Sequence, residues 1–158
     1  MKVLFDFFRK VGEIMRNKII FLDVDGVLNS AQDGFSVNLE TDNHLKLLEQ
    51  LVKETGADIV LSSSWRMSFG CSFSLSNTLI SRLKEHGLSI LDITPEREDG
   101  DRGLEIKEWL DKNPTKNILI LDDEDFDIAN IFPNNFVKTN NEIGLQKEDV
   151  EKGIKILQ

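Results

Sequence analysis

Short apolar runs alternate along the chain with segments whose apolar residues recur at helical spacing. The runs predict strands at 18–24, 57–62, 88–93, 117–121 and 136–137. The helical spacing predicts helices at 41–55, 75–86, 102–110 and 146–157. Alternating strands and helices are typical of α/β domains. We therefore expect a doubly wound, mostly parallel five-stranded sheet in a three-layer α/β/α sandwich.

Residues that end helices support these boundaries. Gly56 follows the first helix and is a good C-terminal stop. Asp101 precedes the helix that begins at Arg102, where its side chain is a candidate N-cap. That helix must stop before Pro114, because a residue that precedes proline disfavours helical geometry.

Residues 1–16 have a different pattern from the rest. Apolar residues lie at helical spacing, but charged residues, including Asp6, Arg9 and Glu13, interrupt the continuous apolar centre that a signal peptide needs. We expect an amphipathic helical extension that packs on a domain spanning 17–158. Docking on a membrane surface is an alternative, and Met15 is an alternative start of the chain.

Composition narrows the class of protein. The 158 residues, of which 40% are hydrophobic and 30% charged, suit one soluble globular domain. The net charge of −9 argues against broad, charge-driven binding of nucleic acid, although a small basic patch beside an acidic metal site is compatible with it. A single cysteine excludes an internal disulfide, and no apolar run is long enough to span a bilayer. We expect a cytoplasmic protein.

The segment 21–29, Phe-Leu-Asp-Val-Asp-Gly-Val-Leu-Asn, is the most informative part of the chain. Side chains alternate faces in a strand, so Asp23 and Asp25 should point the same way. Two like charges on one face at the end of a strand are unfavourable for stability. They make sense if a divalent cation, or an anionic substrate with its metal, lies between them. The alternative is an ordinary Asp-Gly turn after a buried strand.

This segment resembles motif I of the haloacid dehalogenase (HAD) superfamily, Asp-x-Asp-Gly-[Val/Thr]-Leu. The resemblance implies a nucleophile at Asp23 and a general acid/base at Asp25. It also implies a Mg²⁺ ion held by Asp23, by the backbone carbonyl of Asp25 and by later acids. Gly26, in the turn, becomes a candidate substrate-binding residue. The implied fold is the HAD-like Rossmannoid sandwich.

An apolar run that ends in acids, 118–127, resembles motif IV of the same superfamily. Asp123 is the expected metal ligand, and Asp122 is a further ligand or a partner of the ligands. Asp127 is the alternative to Asp122. Read alone, the segment also fits a solvated acidic loop. In a doubly wound sheet the ends of the first and fourth strands can share one cleft, which favours the metal site.

The segment 59–66, Ile-Val-Leu-Ser-Ser-Ser-Trp-Arg, resembles motif II, whose hydroxyl binds the transferring phosphoryl group. Ser62 matches that position best and Ser63 is the fallback. The Ser-Ser-Ser-Trp-Arg sequence resembles that of a bacterial and phage subgroup of small HAD-like domains, some of them fused to RNA-repair modules. Arg66 is predicted to contact substrate phosphate, with a surface ion pair as the alternative. Trp65 is expected in the core or the cleft wall rather than as a base-stacking platform.

Motif III should supply a cation near the start of the helix that precedes the fourth strand. Arg102 lies there, and Arg97 and Lys107 are alternatives. Such a cation would balance the charge of the carboxylates and of the phosphate.

Together these resemblances imply a Mg²⁺-dependent phosphomonoester hydrolase that forms an aspartyl-phosphate. Aspartate at both motif I positions favours a phosphatase over a dehalogenase. The segments 28–41 and 67–101 are too short for a large cap, so we expect an open cleft and, from the subgroup resemblance, nucleic-acid ends or nucleotides as substrates. The alternatives are a non-catalytic metal-binding interaction module and a phosphodiesterase or nuclease.

Overall fold

A computed structural model of the chain describes residues 18–69 and 75–158. The predicted extension at 1–16 lies outside these residues. Five strands form one sheet: β1 (Lys18–Leu22), β2 (Asp58–Leu61), β3 (Ile90–Ile93), β4 (Asn117–Asp122) and β5 (Phe136–Lys138). Their order is β3-β2-β1-β4-β5, and every neighbouring pair is parallel. The predicted doubly wound, five-stranded sheet is confirmed.

Helices connect the strands. They are α1 (Asn43–Thr55), α2 (Leu75–Glu85), α3 (Arg102–Lys112), the single-turn α4 (Ile128–Ile131) and α5 (Lys147–Leu157), with a short 3₁₀ helix at Ser64–Ser68. The four longer helices are those predicted from the sequence. Helix α4 and the 3₁₀ helix were not predicted, because segments of four and five residues are too short to show a helical period.

Successive side chains of a strand point to opposite faces of the sheet, and each face packs in its own hydrophobic core. This arrangement confirms the predicted three-layer α/β/α sandwich. Ile20 and Leu22 of β1 belong to a cluster that also contains buried residues of α1, α2 and α5. Phe21 points the other way, toward α3, and its ring meets that of Trp109 edge-on with 5.4 Å between centroids. Because both faces of the sheet are covered at its centre, β1, β2 and β4 are buried in all but their first residues.

The predicted helix boundaries have the expected causes. Gly56 adopts a left-handed φ of 68° and donates its N–H to the Val52 carbonyl, which ends α1. The Asp101 carboxylate accepts the N–H of Leu104 at 2.9 Å and caps α3.

The loop that joins β1 to α1, residues 23–42, holds no helix and no strand of the sheet, and it is fastened to the domain by a buried histidine. The Nδ1 atom of His44 lies 3.0 Å from the Leu145 carbonyl, and its Nε2 atom lies 3.0 Å from the Asp33 carboxylate. Between β2 and β3 the described residues form only the 3₁₀ helix and α2. Within 18–69 and 75–158, therefore, neither connection builds a large cap. In the same ranges no helix is long and apolar enough to cross a membrane.

Candidate active site

The candidate site lies where the direction of strand addition reverses. From β1 the chain adds β2 and then β3 on one side, and it returns to place β4 on the other side of β1. Ligands of such sheets bind in the crevice outside the carboxyl ends of the strands at this switch point. Asp23 follows β1 directly and donates its backbone N–H to the Leu121 carbonyl at 3.0 Å, while Asp122 ends β4. The predicted cleft shared by the two acidic motifs is therefore present.

Three carboxylates gather in this crevice. Asp23, Asp122 and Asp123 each offer one oxygen, and the three oxygens all lie within 4.8 Å of one another. Asp23 and Asp122 are buried, whereas Asp123 is partly open to solvent. A set of hard oxygen donors is what Mg²⁺ prefers, and because that ion retains several waters it needs only a few protein ligands. The residues present therefore fit the ion that the sequence predicts.

Asp127, the alternative to Asp122, has a different role. It lies at the start of α4 with a left-handed φ of 63°, and its carboxylate accepts the side-chain amide of Asn130. Among the described residues it is Asp122 that joins Asp23 and Asp123 in the cluster.

Arg102 supplies the positive charge of the site. Its Nη1 atom lies 2.9 Å from the Asp122 carboxylate and 3.3 Å from that of Asp23, and it also donates to the Ser62 carbonyl. The guanidinium lies 5.1 Å from the centroid of the Phe126 ring. The other two candidate cations point elsewhere and pair with carboxylates outside the cluster, Arg97 with Asp99 and Lys107 with Asp111.

Burial and crowding raise the pKa values of the buried carboxylates. Loss of solvation raises the pKa of Asp23 to about 6, although the Arg102 guanidinium opposes the shift. Burial, and then repulsion from Asp23, raises the pKa of Asp122 to about 8, again against the attraction of Arg102. Because the two groups share one site, they titrate as a pair. A divalent cation would favour the charged forms of both carboxyls and would therefore oppose these shifts.

These shifts predict that the metal-free protein loses stability as the pH rises from about 5 to about 8. In this window the folded state retains protons that the unfolded state has already released, because the unfolded carboxyls have ordinary, lower pKa values. Thermal unfolding in EDTA should show a melting temperature several degrees lower at pH 8 than at pH 5. Added Mg²⁺ should stabilise the protein more at pH 8, since it competes with those protons.

The Asp122→Asn variant is the control for this prediction. Without the Asp122 carboxyl the decline should flatten, which would attribute the pH dependence to the carboxylate cluster. A melting temperature that rises with pH in the wild type, or a decline that is equally steep in the variant, would contradict the prediction.

The Asp25 carboxylate lies outside the three-carboxylate cluster and is held by two side-chain donors. The indole Nε1 of Trp65 donates to one oxygen at 2.9 Å, and the amide of Asn29 donates to the other at 2.8 Å. Trp65 is only 3% exposed and belongs to the hydrophobic core, which agrees with the predicted place in the core or the cleft wall rather than in a base-stacking platform. The contact with Asn29 was not predicted. The roles of Asp25 as an acid/base and as a backbone ligand of the metal stay predictions.

The two motif II serines have different surroundings. The Ser63 hydroxyl accepts the backbone N–H of Trp65 at 3.3 Å. It also lies near the Asp23 carboxylate and opposes the rise of its pKa. The Ser62 hydroxyl is buried and meets no hydrogen-bond partner among the described residues. A buried hydroxyl without a partner costs free energy unless another molecule satisfies it. The expectation that Ser62 binds a phosphoryl oxygen fits this gap and stays a prediction.

Gly26 allows the close approach of motif IV to motif I. Its φ is 77°, and an added Cβ would overlap the carboxyl carbon of Asp123 and lie 2.5 Å from the Asp123 Cβ. Its carbonyl accepts the hydroxyl of Thr139 at 2.7 Å. A residue with a side chain would be strained here and would displace a candidate metal ligand. The predicted contact of Gly26 with substrate remains untested, whereas its contact with Asp123 is direct.

Arg66 is buried rather than on the surface. Its Nη2 atom pairs with Glu105 at 2.8 Å, and its Nη1 atom donates to the Ser63 carbonyl at 2.8 Å. Its ion pair is therefore an interior one, in contrast to the surface pair that the sequence offered as the alternative. Contact with substrate phosphate stays a prediction. Glu105 itself was not predicted as part of the site.

A parallel five-stranded sheet with acids at its switch point defines a HAD-like domain, a fold of a hydrolase superfamily. Residues 19–150 match the family described as the HAD domain in Swiss Army Knife RNA repair proteins, and the chain belongs to that family. The match includes every candidate site residue from Asp23 to Asp123 and confirms the resemblance seen in the Ser-Ser-Ser-Trp-Arg segment. Comparisons with curated proteins and with solved structures found no match.

Proposed function

We propose that the protein is a Mg²⁺-dependent phosphomonoester hydrolase that uses Asp23 as its nucleophile. The observation that carries the proposal is the group of three carboxylates, Asp23, Asp122 and Asp123, gathered within 4.8 Å at the switch point of the sheet. Arg102 beside them provides a fixed positive charge. A cluster of anions with one cation suits the binding of a divalent metal and, through it, of a phosphate group.

The side chains of Asp23, Asp122 and Asp123 would hold Mg²⁺, with the backbone carbonyl of Asp25 as a further ligand. When bound, the ion offsets the negative charge of the carboxylates and of the phosphoryl oxygens.

The chain's own groups carry the reaction in two steps. In the first, an Asp23 carboxylate oxygen attacks phosphorus, the bond from phosphorus to the ester oxygen breaks, and Asp25 gives its proton to that leaving oxygen. In the second, water attacks the phosphorus of the aspartyl-phosphate and Asp25 takes a proton from it. The bond from phosphorus to the Asp23 oxygen then breaks and inorganic phosphate leaves.

Other side chains hold these groups in place. Trp65 and Asn29 fix the Asp25 carboxylate from both sides, which sets the direction of proton transfer. Arg102 orients Asp23 and balances negative charge as phosphate enters. Ser62 presents a buried hydroxyl with no partner among the described residues, and that hydroxyl would donate to a phosphoryl oxygen.

The proposed substrates are phosphorylated nucleic-acid ends or nucleotides. Two features support this class: the family is described from RNA repair proteins, and the described connections build no large cap over the cleft. A net charge of −9 disfavours long contacts with a nucleic-acid backbone, so recognition of an end suits the chain better than binding along a duplex.

We expect Mg²⁺-dependent release of inorganic phosphate from 3′- or 5′-phosphorylated oligonucleotides or from nucleotides, and loss of that activity in EDTA that excess Mg²⁺ reverses. A phosphate assay on these substrates, with sugar phosphates and phosphopeptides in parallel, measures both effects. The same oligonucleotides, internally labelled and run on a denaturing gel, should keep their length. Shortened strands would identify a nuclease instead, and the absence of hydrolysis across the panel would favour a non-catalytic metal-binding module.

A further inference from the structure

Glu105 is a buried acid that the proposed mechanism does not use. It lies in the first turn of α3 and is 2% exposed. A carboxylate is seldom buried so deeply without charged or hydrogen-bonding partners, because loss of hydration is costly. Its partners therefore indicate what it does.

Two arginines flank Glu105. Its Oε1 atom lies 2.8 Å from Nη2 of Arg66, and it also accepts the backbone N–H of Arg97 at 3.0 Å. Its Oε2 atom lies 3.7 Å from Nε of Arg102. One carboxylate thus lies between two guanidinium groups, which would otherwise repel each other.

The two arginines hold consecutive carbonyls at the end of β2. Arg102 donates from Nη1 to the carbonyl of Ser62, and Arg66 donates from Nη1 to the carbonyl of Ser63. The Nη1 atom of Arg102 also contacts the carboxylates of Asp23 and Asp122. The position of each guanidinium therefore determines how the motif II turn faces the acidic cluster.

We propose that Glu105 is a positioning residue that holds Arg66 and Arg102 in place, and through them the Ser62–Ser63 turn and the nucleophile Asp23. Its effect on catalysis rests on the proposed phosphatase function, whereas its hold on the two arginines does not. Glu105 touches none of the reacting atoms, so its effect on the site passes through the groups that it holds, chiefly the two guanidinium groups.

The first test measures the arginines directly in the metal-free protein. Buried, paired guanidinium groups rotate slowly and give resolved ¹⁵N NMR side-chain signals. In Glu105→Gln, which keeps the shape of the side chain but not its charge, the signals of both arginines should shift and broaden. Glu108→Gln is the matched control, because Glu108 lies on the same helix, is partly exposed and pairs with Lys112 and Arg97 rather than with Arg66 or Arg102. Unchanged Arg66 and Arg102 signals in Glu105→Gln would overturn the proposal.

The second test measures turnover. Glu105→Gln should lower kcat roughly ten- to a hundredfold, whereas Glu108→Gln should leave it unchanged. In an Arg102→Ala background the same substitution should have less effect, since one of the two groups through which Glu105 acts is missing. Equal losses in both backgrounds would show that Glu105 does not act through Arg102. If Glu105 merely stabilised the fold, its substitution would lower the melting temperature, but its effect on kcat would not depend on Arg102.

Two further outcomes have a definite meaning. If Glu105→Gln does not fold, Glu105→Asp serves instead, because it keeps the charge but withdraws the carboxylate by one methylene. The arginine signals and kcat should then change in the same direction as expected for Glu105→Gln, by a smaller amount. An inactive wild-type protein would refute the proposed function and the catalytic effect of Glu105. The arginine signals would still decide whether Glu105 holds the two guanidinium groups.

Discussion

Replacing Asp23 with asparagine should abolish Mg²⁺-dependent phosphate release while the protein stays folded. The amide of asparagine is a poor nucleophile toward phosphorus, so the aspartyl-phosphate cannot form. We expect kcat to fall about a thousandfold or more, as it does when a nucleophile is removed from other enzymes with covalent mechanisms. Steady-state phosphate release at saturating Mg²⁺ measures the loss, and circular dichroism confirms the fold.

The structure also predicts what the substitution does to stability. Asp23 is buried beside Asp122 and raises the pKa of Asp122 by repulsion, so its removal relieves repulsion in the metal-free protein. The melting temperature in EDTA at pH 8 should therefore not fall. Asp111→Asn is the control, because that carboxylate is exposed on α3 and pairs only with Lys107 among the described residues. Substantial turnover by Asp23→Asn would rule out the covalent mechanism.

Gly26→Ala should weaken the binding of Mg²⁺ in addition to straining the backbone. The new methyl group would overlap the Asp123 carboxyl carbon, so the side chain of Asp123 must move away from Asp23 and Asp122. We expect Mg²⁺ affinity to fall roughly ten- to a hundredfold, with a matching loss of activity at limiting Mg²⁺. Calorimetric titration of Mg²⁺ measures the first effect, and activity as a function of Mg²⁺ concentration measures the second.

Gly56→Ala separates displacement of the ligand from strain in the backbone. Gly56 has a φ of 68°, close to the 77° of Gly26, but nothing lies within 4 Å of its added Cβ. Both variants should lose about 1–2 kcal/mol of stability from the left-handed conformation. Only Gly26→Ala should also lose Mg²⁺ affinity. Equal affinities in the two variants would show that Asp123 does not bind the metal.

The elements that the sequence predicted are those with a regular pattern of apolar residues. The buried strands are continuous apolar runs and the longer helices have a 3.6-residue period, so both could be recognised. The boundary of β3 differed because Leu88, though apolar and buried, precedes the residues that pair with β2. The single-turn α4 offered no period at all.

The residues of the candidate site also fall into those that the sequence could predict and those that it could not. Asp23, Asp122, Asp123 and Arg102 occur in motifs whose order along the chain places them at the ends of strands or the start of a helix, so they could be predicted. Glu105 could not, because a glutamate in the first turn of a helix is usual on a protein surface. Its partners, such as Arg66, are far away in sequence, and only the folded chain brings them together.

The pairing of β1 with β4 also has a consequence for the time course of folding. Leu22 and Leu121 face each other although 99 positions separate them in sequence. Closing so long a loop is entropically costly, and contacts between distant segments tend to form late. On the ribosome, β1, α1 and β2 emerge and can pair well before β4 leaves the exit tunnel. The nascent chain therefore displays Asp23 before Asp122 and Asp123 arrive, so the three-carboxylate cluster is complete only after β4 has paired with β1.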